Sequence, residues 1–128
     1  MSNKAKIVNN AQKFLQKGAY DKAIRELQKL LEEDPKDVRT LLKVGDIYAK
    51  KEDRVEAIKY YRRVAEAYSE QGFFLKAVAV YKQILKHDPQ HFEVTVKLAE
   101  LYEHLGLLQE ALGQYQMVAS LHDQKGNT

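Results

Sequence analysis

Apolar residues recur along this chain three and four positions apart, the spacing of one helical face. Ile7, Ala11, Phe14 and Leu15 mark a first helix, about Lys4–Lys17, which Gly18 stops. Ala23, Ile24, Leu27, Leu30 and Leu31 mark a second over Tyr20–Glu33, with Asp21 in its first turn, where a carboxylate suits the helix dipole. Asp34-Pro35 ends it, because the residue before proline is pushed out of the α region. A third, about Asp37–Lys50, uses Leu41, Val44, Gly45 and Tyr48, and Gly45 is expected to let a neighbouring helix approach closely. Asp53 and Glu56 form a capping box in kind for the fourth, which Gly72 ends. The fifth, about Phe74–His87, is the most apolar and is expected to be the most enclosed; Asp88-Pro89 ends it. The sixth, Phe92–His104, repeats the third, and Gly106 turns into a seventh, Leu108–His122. The final QKGNT is expected to fray. The pattern predicts an all-α chain of about seven helices.

These helices repeat. A small residue is followed four positions later by a large one at Ala23/Leu27, Ala57/Tyr61, Ala77/Tyr81 and Ala111/Tyr115, and the alanines stand 34, 20 and 34 residues apart. Upstream of each lies a second motif: Asn10-Ala11-x2-Phe14, Val44-Gly45-x2-Tyr48, Val64-Ala65-x2-Tyr68 and Leu98-Ala99-x2-Tyr102. Pro35 and Pro89 follow at matching places. A period of about 34 residues with A-x3-F and L-G-x2-Y is the tetratricopeptide signature. The chain therefore resembles the tetratricopeptide repeat (TPR) family over nearly its whole length, although it has no tryptophan. The resemblance implies a right-handed superhelical solenoid of antiparallel helices, one domain over 1–128, with repeats at approximately 4–37, 38–71, 58–91 and 92–125.

The 20-residue step makes the middle two repeats overlap, so one helix, 54–70, is expected to serve both. Val55 aside, its residues Ala57, Ile58, Tyr60, Tyr61, Val64, Ala65, Ala67 and Tyr68 cover about half of a helical wheel, as packing on two sides requires. The other reading is an ordinary second helix with a long loop after it. Adding 34 and 20 gives a larger unit: shifted by 54, LEEDPKDV (31–38) falls on LKHDPQHF (85–92), and Gly18, Gly72 and Gly126 are in step. Residues 119–126 then open a third unit, where His122 stands in the place of Phe14 and Tyr68. Either the chain is cut from a longer array, or His122 makes the seventh helix a polar end cap. The repeat style of GFFLKAVAVYKQILK is similar to that of N-terminal modules in long bacterial TPR scaffolds.

Composition narrows the chemistry. A chain of 128 residues with 45% hydrophobic and 30% charged residues is that of one soluble domain. It contains no cysteine, hence no disulfide and no thiolate. No apolar run approaches the ~20 residues that cross a bilayer, and MSNKAKIVNNAQKF has no apolar signal core, so no membrane insertion and a cytoplasmic location are expected. The same segment is basic and free of acids until Asp21, as transit peptides are, but it has no arginine and its apolar residues belong to the repeat. Net charge is +3, unevenly placed: residues 1–64 carry 16 Lys/Arg against 10 Asp/Glu, and residues 65–128 carry 5 against 8. That split suits an acidic partner for the first half, or self-association head to tail.

No catalytic, cofactor-binding or metal constellation is read. His87 and His91 are four apart, but Pro89 separates them, and both are expected as exposed loop histidines. The six glycines stand singly, without a phosphate loop, and Ser2, Ser69 and Ser120 have no evident base. The tyrosines fall at packing positions, and the cations are interspersed with acids, which weighs against nucleic acid. The chain is expected not to be an enzyme.

In the TPR family the first helix of each repeat lines a concave face, where a peptide or helix lies. The resemblance places Ala5, Val8, Asn9, Gln12 and Gln16 there from the first helix, Arg39, Leu42, Lys43, Asp46 and Lys50 from the third, and Glu93, Val96, Lys97, Glu100 and His104 from the sixth. Val8, Leu42 and Val96 share one repeat position and would form an aliphatic row. Arg39, Lys43 and Lys50 make the early part basic, while Glu93, Glu100 and Glu103 make the late part acidic. A protein or peptide segment with acidic residues and apolar anchors fits this pattern. One TPR subclass clamps chaperone carboxylates; Lys59 and Arg63 match its basic pair, but Val8, Gln12 and Lys43 stand where it has lysine and two asparagines.

Overall fold

The computed structural model describes residues 3–126, and these form seven helices: α1 Asn3–Gln16, α2 Tyr20–Glu33, α3 Val38–Lys50, α4 Arg54–Glu70, α5 Phe74–His87, α6 Phe92–His104 and α7 Leu108–Gly126. They gather into two compact units, one ending at Ala67 and one beginning at Tyr68, so the boundary falls inside α4. Asn127 and Thr128 of the expected frayed tail lie outside the described residues, whereas Gln124–Gly126 continue α7 as helix.

In the first unit α1 packs on α2 and α2 on α3. Ala23, Ile24, Leu27, Leu30 and Leu31 of α2 are buried, as are Leu41, Val44 and Ile47 of α3. Tyr48 and Tyr60 stack at 5.6 Å between ring centroids, and the Tyr60 hydroxyl accepts from Gln28 Nε2 at 3.3 Å. Asp53 caps α4 by accepting from the Glu56 N–H at 3.2 Å. Its own N–H donates to Tyr48 O at 2.9 Å, so only half of the expected box forms.

Gly45 explains how closely α3 and α4 meet. A Cβ there would lie 2.8 Å from Tyr61 Cε1 and 3.0 Å from Cδ1. The ring cannot easily swing aside, because Tyr61 is buried and its hydroxyl donates to Asp46 Oδ1 at 2.6 Å. Seven of the eight residues in the predicted α4 stripe are buried, Tyr68 is half-buried, and Val55 points to solvent.

In the second unit α5 packs on α6 and α6 on α7, around Ala77, Tyr81, Ile84, Val94, Leu98 and Ala99. The helix expected to be the most enclosed is not: α5 buries four residues and α4 seven. Only one stripe of α5 is packed, and Leu75 and Ala79 on its other side are exposed, so apolar content overstated burial. His91 also differs from expectation. It is a half-buried N-cap of α6, whose Nδ1 accepts from the Val94 N–H at 3.2 Å. It sits two residues after Pro89, in the extended conformation that an N-cap needs.

Four turns share one hydrogen-bond pattern. Ala19, Asp53, Phe73 and Leu107 each donate their N–H to the carbonyl five residues back, on Phe14, Tyr48, Tyr68 and Tyr102. This closure needs a left-handed residue just before the donor. Gly18, Gly72 and Gly106 fill that place with φ of 74°, 85° and 75°, but the second turn uses Glu52 at φ 64°.

Two substitutions probe this packing. Gly45→Ala gains about 1 kcal/mol of helix propensity but overpacks a pinned ring at a cost of about 1–3 kcal/mol, so its urea midpoint should fall; an equal or higher midpoint would mean that Tyr61 moves aside freely. Glu52→Gly removes left-handed strain and should raise stability by roughly 1 kcal/mol, read as a higher melting temperature, whereas a loss would show that the Glu52 side chain is needed.

Candidate protein-binding face

On α3, Arg39, Lys43, Asp46 and Lys50 recur at intervals of four, three and four and form one exposed stripe, with Leu42 half-buried beside it. On α1, Val8 is half-buried, and Asn9 and Gln12 are exposed. The starts of α1 and α3 are tied by Lys4 Nζ to Asp37 Oδ2 at 3.3 Å. The Asp37 carboxylate also accepts from the Thr40 hydroxyl at 2.8 Å. Burial opposes its ionisation, but the Thr40 hydroxyl and the Lys4 ammonium hold its pKa below the usual carboxylate range. Sequence reasoning misses this clip; its signal is an Asp directly before a helix start, four residues short of the core Leu41.

Asp46 belongs to the stripe, yet it is committed to the fold through Tyr61. Burial and the Asp46 carboxylate together push the Tyr61 phenol well above its usual value. The cations of the stripe therefore outnumber its one acid, and that acid is engaged from behind by a hydroxyl.

Lys59 is exposed on α4. Arg63, its proposed clamp partner, is half-buried; its Nη2 donates to Pro35 O at 3.1 Å and its guanidinium lies 5.1 Å from the Tyr60 ring centre. That side chain ties α4 to the end of α2.

The second unit carries the matching stripe on α6, with Glu93, Lys97, Glu100 and His104 exposed and Val96 half-buried. It has two acids where the α3 stripe has one. The His104 ring packs against Phe74 at 4.5 Å between centroids. An open hollow of about 380 Å³ at the start of α2 is lined by Gly18, Ala19, Tyr20, Asp21, Lys22, Arg25 and Lys51. Asp21 and Lys51 pair across it, which leaves Lys22 and Arg25 as its surplus positive charge.

A family model described as tetratricopeptide repeat matches residues 8–71 and again 65–125. The chain belongs to the tetratricopeptide repeat family. The two matched stretches of this TPR chain overlap over 65–71, inside and just after α4, which closes the first and opens the second. Solved structures share the fold. "MamA MSR-1 C2" aligns with 93% of this chain and 76% of its own at 19% identity and a TM-score of 0.53. "MamA RS-1 ArsTM double mutant" aligns with 93% and 75% at 14% identity and a TM-score of 0.54. "Crystal structure of MamA" aligns with 87% and 73% at 24% identity and a TM-score of 0.50. Among curated proteins, sequence comparison gives no significant match. TPR repeats are in general protein–protein interaction modules, and no helix among the described residues is long and apolar enough to cross a membrane.

The Tyr61 contact has a pH signature. A phenol whose folded pKa is raised stabilises the fold fully below its unfolded value, near 10, and loses that contribution as pH climbs beyond it. Tyr61→Phe should cost about 1 kcal/mol at neutral pH and should flatten the loss of stability above pH ~10, read by urea denaturation across pH. An unchanged alkaline slope would show that Tyr61 does not titrate with unfolding.

Proposed function

We propose that this chain is a non-enzymatic adaptor that holds a segment of a partner protein along the exposed face of α3, beside α1. The observation that carries this reading is the α3 stripe, three cations at helical spacing with Leu42 next to them, on a helix fixed by Gly45, Asp46 and the Lys4–Asp37 clip. Fixing the helix before binding lowers the ordering cost that association must overcome. Arg39, Lys43 and Lys50 favour carboxylates, and Val8 and Leu42 offer places for aliphatic anchors. The segment is therefore acidic, with apolar side chains between the acids. In the second unit Val96 repeats the aliphatic position, while Lys97 and Glu100 give α6 a mixed charge. Lys59 adds an exposed cation on α4, whereas Arg63 serves the fold first. A role among cytoplasmic scaffolds accords with this reading.

Selection from a displayed random-peptide library tests it. Retained peptides should be enriched in Asp and Glu beside Leu, Ile or Val. Arg39→Glu/Lys43→Glu should weaken their binding at least ~10-fold, or about 1.4 kcal/mol, with the melting temperature unchanged because both side chains are exposed. Peptides without acids, or equal binding by the double variant, would move the site off α3.

A further inference from the structure

Met117 apart, the exposed apolar residues of α7 are not scattered. Leu108, Leu112, Tyr115 and Ala119 recur at four, three and four, which places them in one narrow stripe over three turns. Leu108 is 68%, Leu112 53% and Tyr115 39% exposed. The chain contains its own reference for the last three, 54 residues earlier on α4. There the matching residues are Ile58, Tyr61 and Ala65, exposed by only 9%, 4% and 0%. Residue types are kept while burial is not. A contiguous exposed stripe of the kind that the same fold elsewhere buries marks a surface built to be covered.

The rim of this stripe is acidic. The Tyr115 hydroxyl donates to Glu103 Oε1 at 2.9 Å, and Glu100 is exposed nearby on α6. The complementary element is in the same chain. Helix α1 has no acid; Lys6 and Lys13 are exposed, and Ile7 and Phe14 are half-buried rather than fully enclosed. We propose that the α7 stripe is a docking surface for a second copy of this chain, which lays its α1 against it, so that copies join head to tail. Apolar contact supplies the affinity, and Lys6 and Lys13 of α1 against Glu100 and Glu103 set its direction. Such a contact uses different surfaces on the two partners, so each joined pair keeps one free α1 and one free α7 to which another copy can add. This proposal is independent of peptide binding by α3.

Complementary variants test it. Leu112→Asp blocks the α7 end, and Lys6→Glu/Lys13→Glu blocks the α1 end; all three positions are exposed, and circular dichroism checks that the helices are kept. In analytical ultracentrifugation the unaltered chain should exceed one chain's mass increasingly with concentration, and less so as salt rises to about 0.5 M. Each blocked variant alone should be a monomer, with self-association weakened at least ~10-fold. Mixed one to one, they should form a dimer and nothing larger, since one free α1 and one free α7 remain to meet. An unaltered chain that stays monomeric at about 1 mM overturns the proposal. So does a mixture that fails to pair, or a Lys6/Lys13 variant that still self-associates, which would mean that α7 meets α7.

Discussion

Tyr61 reaches Asp46 because residue 45 has no side chain. That single close approach sets how α3 and α4 meet, and the rest of the first unit is arranged around it. It holds the α3 helix rigidly while leaving Arg39, Lys43 and Lys50 in solvent. It also places a phenol between a packed core and a surface carboxylate, so the contact belongs both to stability and to the charge of the candidate face. The Lys4–Asp37 clip and the Arg63 bond to Pro35 add ties at other points of the same unit.

The 54-residue repeat lets the chain be compared with itself. Gly45 becomes Ala99, and Tyr115 bonds Glu103 instead of lying buried as Tyr61 does. The pair Asp21 and Lys51 becomes Leu75 and Leu105, and Asp53 and Arg54 become Leu107 and Leu108. Polar positions at the turns of the first unit are therefore apolar in the second, where Leu75, Leu107 and Leu108 are exposed. Packing does not require those side chains, since the first unit folds its turns without them.

The closing hydrogen bonds show why the repeat motif has its shape. The aromatic residue of each upstream motif lends its carbonyl to the turn that follows, and a left-handed residue four positions later makes that bond possible. Aromatic and glycine are thus tied by backbone geometry as well as by packing, and Glu52 is the place where the rule is met at a conformational cost.

The helices, their order, the overlap of repeats in α4 and most buried positions were legible in the sequence. Helical periodicity, Asp-Pro stops and glycine turns act within a few residues, so local spacing alone determines them. The family followed for the same reason, since a repeat is a local pattern used several times. Which polar side chains are committed was not legible. Asp46 and Arg63 both read as surface residues, and each proved to be engaged by a partner 15 or 28 residues away. Nor did the apolar content of α5 and α7 foretell burial, because exposure depends on whether another helix lies opposite. Those questions were decided only by the tertiary structure: partners distant in sequence, and the presence or absence of a neighbour, are set by how helices pack and leave no periodic trace along the chain.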